Sequence, residues 1–146
     1  AWMSWLIEQG IAVNAGDRLE RFEQEPEYAR RKSCIYFVEA DIGERSVYDK
    51  IGITFSFPSR KSGGSFSEVW WLKRNIPRAI AWSVEQVALQ TTKENRPKKL
   101  SPGWREYGGR TELREGLAID ETCELLDELL AECTSMGWKE FYEKYT

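Results

Sequence analysis

The sequence predicts an α+β domain in which a small, mainly antiparallel three-stranded sheet is flanked by helices, with helical extensions at both ends. Three observations point there. Short runs of β-branched and aromatic residues, bounded by turn formers, cluster between positions 33 and 74. Before and after that cluster, apolar residues recur at three- and four-residue spacing. The chain is 146 residues long, 41% apolar and 13% aromatic, which is enough for one core and excludes the low-hydrophobicity signature of disorder.

Residues 2–32 read as a helical extension, with Trp2, Trp5, Leu6, Val13, Leu19 and Phe22 as its apolar positions and a break at Asn14-Ala15-Gly16. Asp17 is the expected cap after that break, and Pro26 opens a short run. A first strand is expected at Cys34–Val38 and a second at Val47–Thr54, joined through Asp41–Ser46 into an antiparallel hairpin. Alternation sends Ile35, Phe37, Ile51 and Ile53 to the core face and leaves Tyr36, Tyr48, Lys50 and Gly52 on the other.

Residues 55–67 form a loop, and Glu68–Lys73 make the third strand. A helix from Pro77 to Thr91 buries Ile80, Val84, Val87 and Ala88, with Arg78, Ala81, Trp82, Glu85 and Leu89 flanking that stripe. Residues 92–110 are irregular. A last long helix, capped by Asp120 or Thr122, carries Ile119, Cys123, Leu126, Leu130 and Cys133, and Gly137 precedes a short terminal helix. The expected organisation is therefore a helical extension over 1–32, a core over 33–113 and an acidic helical extension over 114–146 packed on the same domain.

No apolar run approaches the ~20 residues that span a bilayer, and the first residues lack a basic leader, so no membrane association is expected. Three cysteines (Cys34, Cys123, Cys133), an odd number with no CxxC spacing, and no histidine argue against structural zinc and disulfide stapling; a reducing cytoplasm fits best. Without histidine, the common triads and the usual near-neutral base are excluded.

The net charge of −3 conceals strong patterning: residues 1–59 carry −3, residues 60–110 carry +7 and residues 111–146 carry −7. A basic island in an acidic protein suits a phosphate-contacting surface, with Lys61, Lys73, Arg74, Arg78, Arg96, Lys98, Lys99, Arg105 and Arg110 as candidate nucleic-acid contacts. The competing explanation is a solvated face. Trp104 and Tyr107 within it are stacking candidates, with core packing as the alternative. The glycine-rich loop Ser59–Ser65 lacks P-loop spacing, which argues against nucleotide binding of that kind.

The order of pieces is a strand ending in Ile35-Tyr36, a strand ending in Lys50-Ile51-Gly52, Arg60 eight residues beyond that glycine, and a helix bearing Glu85. This arrangement resembles the GIY-YIG nuclease superfamily over about residues 33–113. The likeness is to its phage and viral branch, through Lys50–Thr54, Ala81–Glu85 and Gly109-Arg110-Thr111-Glu112. Cys34 stands in place of the first motif's Gly, Lys50 in place of the second motif's Tyr, Gly64 lies four after Arg60 where a polar side chain is usual, and the late Asn is absent.

The resemblance implies a metal-dependent DNA endonuclease, with RNA as an open alternative substrate. Tyr36 would be the general base toward water, Lys50 would contact the phosphate or lower the phenol's pKa, and Tyr48 would support either. Arg60 would grip the scissile phosphate and Glu85 would ligate one Mg²⁺ or Mn²⁺. Each has a plainer explanation: a half-buried strand aromatic for Tyr36, an exposed strand lysine for Lys50, a loop-anchoring pair for Arg60, and an ion pair with Arg78 or Arg60 for Glu85. The alternative function is a non-catalytic nucleic-acid-binding or adaptor module on the same fold. One such site cuts one strand, so double-strand breaks would require a homodimer or a second binding event.

Overall fold

A computed structural model of the chain describes residues 15–43, 46–57, 65–97 and 112–145. Helices α1 (Ala15–Gln24) and α2 (Pro26–Arg30) lead into β1 (Lys32–Gly43), β2 (Ser46–Thr54) and β3 (Ser65–Pro77). Helix α3 (Arg78–Thr91), a 3-10 turn (Lys93–Asn95), β4 (Leu113–Arg114), α4 (Ile119–Met136) and α5 (Trp138–Lys144) complete the order. The architecture is α+β, with an antiparallel four-stranded sheet in the order β3-β1-β2-β4.

The hairpin has the register that its alternation predicts. Ile35 pairs with Ile53 and Phe37 with Ile51 on one side, while Tyr36 faces Gly52 and Val38 faces Lys50. Ile35, Phe37 and Ile51 are fully buried in the main core with Trp82, Val84, Val87 and Leu89 of α3. Pairing on both flanks carries β1, and pairing with β1 carries the edge strand β3, well beyond their apolar runs, because a ladder stabilises residues whose own β preference is weak.

Several expectations need correction. The sheet has a fourth strand: β4 is two residues long, too short for any periodic signal, and exists by pairing with Asp49 and Lys50. Asp17 falls inside α1, not at its cap. The cap of α4 is Ala118; Asp120 lies in the first turn and Thr122 donates its hydroxyl back to the Ala118 carbonyl. Helix α3 is buried all round from Ala81 to Leu89, so its supposed flank is core as well. Pro26 does open α2, and Gly137, at φ 92°, separates α4 from α5.

Helices α1, α4 and α5 close over α3, where Phe22, Trp82, Tyr142 and Phe141 are buried together. The three cysteines are free. Among the described residues no helix is long and apolar enough to cross a membrane. Trp2, Trp5, the loop with Arg60, Lys61 and Gly64, and the stretch with Lys98, Lys99, Trp104, Arg105, Tyr107 and Arg110 lie outside the described residues.

Candidate functional site

The hairpin register sets the first two members. Tyr36 lies opposite Gly52, and its ring reaches across that glycine: a Cβ there would come within 2.6 Å of the Tyr36 Cζ and 2.9 Å of Glu112 Oε2. Only a residue without a side chain leaves room for the phenol at this crossing. Lys50, two positions earlier on β2, donates to the phenol oxygen, and its Nζ sits 5.6 Å from the Tyr36 ring centroid. The other side of the ring is walled by Phe57 and Phe66, each with its centroid 5.4 Å from that of Tyr36.

β4 brings in Glu112, a residue to which its place in the Gly109–Glu112 motif gives no role. Leu113 pairs with Lys50, which places Glu112 beside the lysine, 3.8 Å from Nζ. The pair is largely enclosed, at 12% side-chain exposure for Lys50 and 27% for Glu112. β4 is itself held by Arg114, which is fully buried and donates to Leu89 O at 2.9 Å, Thr92 Oγ1 at 3.1 Å and Leu113 O at 2.7 Å. The guanidinium thereby caps the carbonyl end of α3, where the helix dipole favours a cation.

Helix α3 delivers Glu85 into this corner. The residue is 3% exposed; Oε1 accepts from Gln86 Nε2 at 3.0 Å, and Oε2 is buried without a hydrogen-bond partner. Among the described residues no cation closes on it within salt-bridge distance. Arg78, at the first turn of α3, stacks its guanidinium 4.0 Å from the Phe55 ring centroid, with Nε and Nη1 likewise buried and unpartnered.

Burial dominates the electrostatics. It raises the Glu85 carboxyl well above the ordinary range, Glu112 adds to the rise, and Gln86, Arg78 and Lys50 oppose it. Glu112 is also raised by burial, against Lys50 and Arg114. The Tyr36 phenol is pushed up to about 12, because loss of solvent outweighs the lowering field of Lys50. The expected depression of that phenol by Lys50 is real in sign and too small to win.

Tyr36, Lys50 and Glu85 thus belong to one electrostatically connected cluster, joined by Glu112 and Arg78. Tyr48 is buried on the same strand face as Lys50, opposite Ala40. Of the other basic candidates, Lys73 lies 3.8 Å from Asp127, Arg74 sits beside Phe57, and Arg96 bonds back to the Lys93 carbonyl.

The donor set suits a single hard divalent ion. No group of three or more metal-ligating side chains exists among the described residues, yet one carboxylate completed by water and phosphate oxygens is a common Mg²⁺ arrangement. Glu85 Oε2 is an orphaned acceptor that such an ion would satisfy, with Glu112 as the neighbouring carboxylate. In comparison with known proteins, no family model, curated protein or solved structure matches this chain.

Proposed function

We propose that the protein is a metal-dependent endonuclease of GIY-YIG type that hydrolyses phosphodiester bonds in DNA. One observation carries the reading: a buried carboxylate with an unpartnered oxygen shares a corner with a phenol, an ammonium, a guanidinium and a second carboxylate. Phosphodiester hydrolysis needs these parts, since it requires a water held for attack, positive charge against the phosphoryl oxygens and help for the departing 3′ oxygen.

Glu85 would hold Mg²⁺ or Mn²⁺, with Glu112 beside it; the ion supplies counter-charge for the phosphate and the leaving oxygen. Lys50 holds the Tyr36 oxygen and fixes its direction, Gly52 keeps that path open, and Tyr36 in its ionised phenolate form accepts the proton of the attacking water, becoming the neutral phenol. Because the phenol stands near 12, its ionised fraction grows throughout the working range; the hydrolysis rate should climb about tenfold per pH unit from pH 7 to 9. Arg60 is assigned the grip on the scissile phosphate by the resemblance, and Arg78 adds a cation from within the described cluster.

The test is nicking of supercoiled plasmid with and without Mg²⁺ by wild type, Glu85→Ala and Arg60→Ala. Loss of cleavage in both variants is expected; cleavage that persists unchanged in both removes the assignment. The adaptor reading draws on the same raised phenol, which is a poor base without further positive charge. Salt-sensitive DNA binding that survives Glu85→Ala, with no cleavage under any divalent ion, would favour that reading.

A further inference from the structure

A second cationic feature lies at the start of β1, built partly from residues outside the basic island. Between Ser33 and Ile35 the β1–β3 register slips, so that Arg74 and Asn75 oppose the single residue Cys34. Asn75 takes the left-handed conformation, φ 60°, that lets β3 bulge there. On the other flank Cys34 pairs with Thr54, and the chain leaving β2 turns through Phe55 to Phe57. Bulge and turn leave an open pocket of about 200 Å³ with Cys34 at its base and Phe55 and Phe57 among its walls.

The charge of this pocket is one-sided. Lys32 and Arg74 line it, and no carboxylate occurs among its described lining residues. Behind the Phe55 wall lie two more guanidiniums, Arg31 at 3.9 Å and Arg78 at 4.0 Å from its centroid, which add to the positive field without lining the pocket. Both Lys32 and Arg74 are exposed, and neither takes part in a salt bridge among the described residues. A guanidinium and an ammonium that line one opening beside aromatic walls form a receptor for phosphoryl oxygens. The pocket also adjoins the candidate site, because its Phe57 wall is the ring that packs on Tyr36.

We propose that this pocket binds a backbone phosphate of the nucleic acid, on the nucleotide next to the one presented to Tyr36 and Glu85. The inference rests on the reading that nucleic acid is the partner, but not on hydrolysis. Its geometry assigns Lys32, from the acidic N-terminal part of the chain, to the nucleic-acid surface along with Arg74.

The experiment measures binding of a fluorescent DNA duplex in EDTA, by anisotropy at several salt concentrations, with wild type, Lys32→Gln/Arg74→Gln and Lys139→Gln. The double variant should bind about tenfold more weakly, and its salt slope should fall by about one for each phosphate that is no longer neutralised. Lys139→Gln, on α5 outside the pocket, should match wild type, and all three should melt alike. Unchanged affinity and slope in the double variant would overturn the proposal. Inorganic phosphate and a 5′-mononucleotide form the second arm: tight, saturable binding of either one, with DNA affinity insensitive to the double variant, would mean that the pocket serves a free anion. Variant-sensitive binding without cleavage would leave this inference standing and remove the nuclease reading; cleavage with variant-insensitive binding would do the reverse.

Discussion

Two ionisable side chains are buried beside α3, Arg114 from β4 and Glu85 from the helix itself, and they are treated in opposite ways. Arg114 is fully enclosed, and three of its donors meet acceptors on Leu89, Thr92 and Leu113. Glu85, 3% exposed, has one oxygen bonded to Gln86 and the other bonded to nothing in the described structure. A buried ion with a complete set of partners does structural work, whereas a buried carboxyl left incomplete among other charges is, on the proposed reading, where a ligand would supply the missing partner. The difference separates scaffold from candidate site even though both residues are ionisable, buried and close to α3.

The largest effect should come from breaking the satisfied side. Arg114→Ala strands the α3 carbonyl end and releases β4, so it should destabilise the fold by about 3 kcal/mol in chemical denaturation. The same variant should weaken metal binding, because Glu112 is placed beside Lys50 only through β4. A variant as stable as wild type would show that Arg114 is not the staple described.

Gly52→Ala comes next. The added methyl would collide with the Tyr36 phenol and crowd Glu112, which overpacks the site at a cost of about 1–3 kcal/mol. Plasmid nicking should fall further than stability does, since the phenol must leave Lys50 to make room. Equal nicking by this variant would show that the position of Tyr36 over Gly52 is incidental.

These residues also show where sequence reasoning reached and where it stopped. The hairpin was legible because Ile35, Phe37, Ile51 and Ile53 alternate with residues of different character, and a slip of one place would bury the wrong set. The same alternation put Tyr36, Lys50 and Gly52 on a common face. Nothing local could reveal β4, since two residues carry no period, and Glu112 gains its role only from a pairing with a strand some sixty positions earlier. The sign of the Tyr36 shift was hidden as well: it depends on Phe57 and Phe66 closing over the ring, a matter of tertiary packing and not of residue type.

The smallest effect in stability tests the unsatisfied side most sharply. The fold raises the Glu85 carboxyl above its ordinary 4.5, so the folded state prefers the protonated form. Below that ordinary value both states hold the proton and the full stability is present; as the pH climbs toward the folded value, the unfolded chain releases its proton first and stability is lost. At neutral pH, above the ordinary value, wild type carries this penalty, and Glu85→Gln, which cannot ionise, does not. In EDTA at pH 7.5 the variant should therefore be more stable by about 1 kcal/mol, roughly 2–4 °C in melting temperature, and the gap should close near pH 4. Glu112 titrates in both proteins and is coupled to Glu85, so the difference between them reports on the pair of carboxyls. Adding Mg²⁺ should raise only the wild type and shrink the gap from the other direction. A Glu85→Gln protein that melts below wild type at pH 7.5 in EDTA would place Glu85 with Arg114, as a charge the fold needs for its own sake.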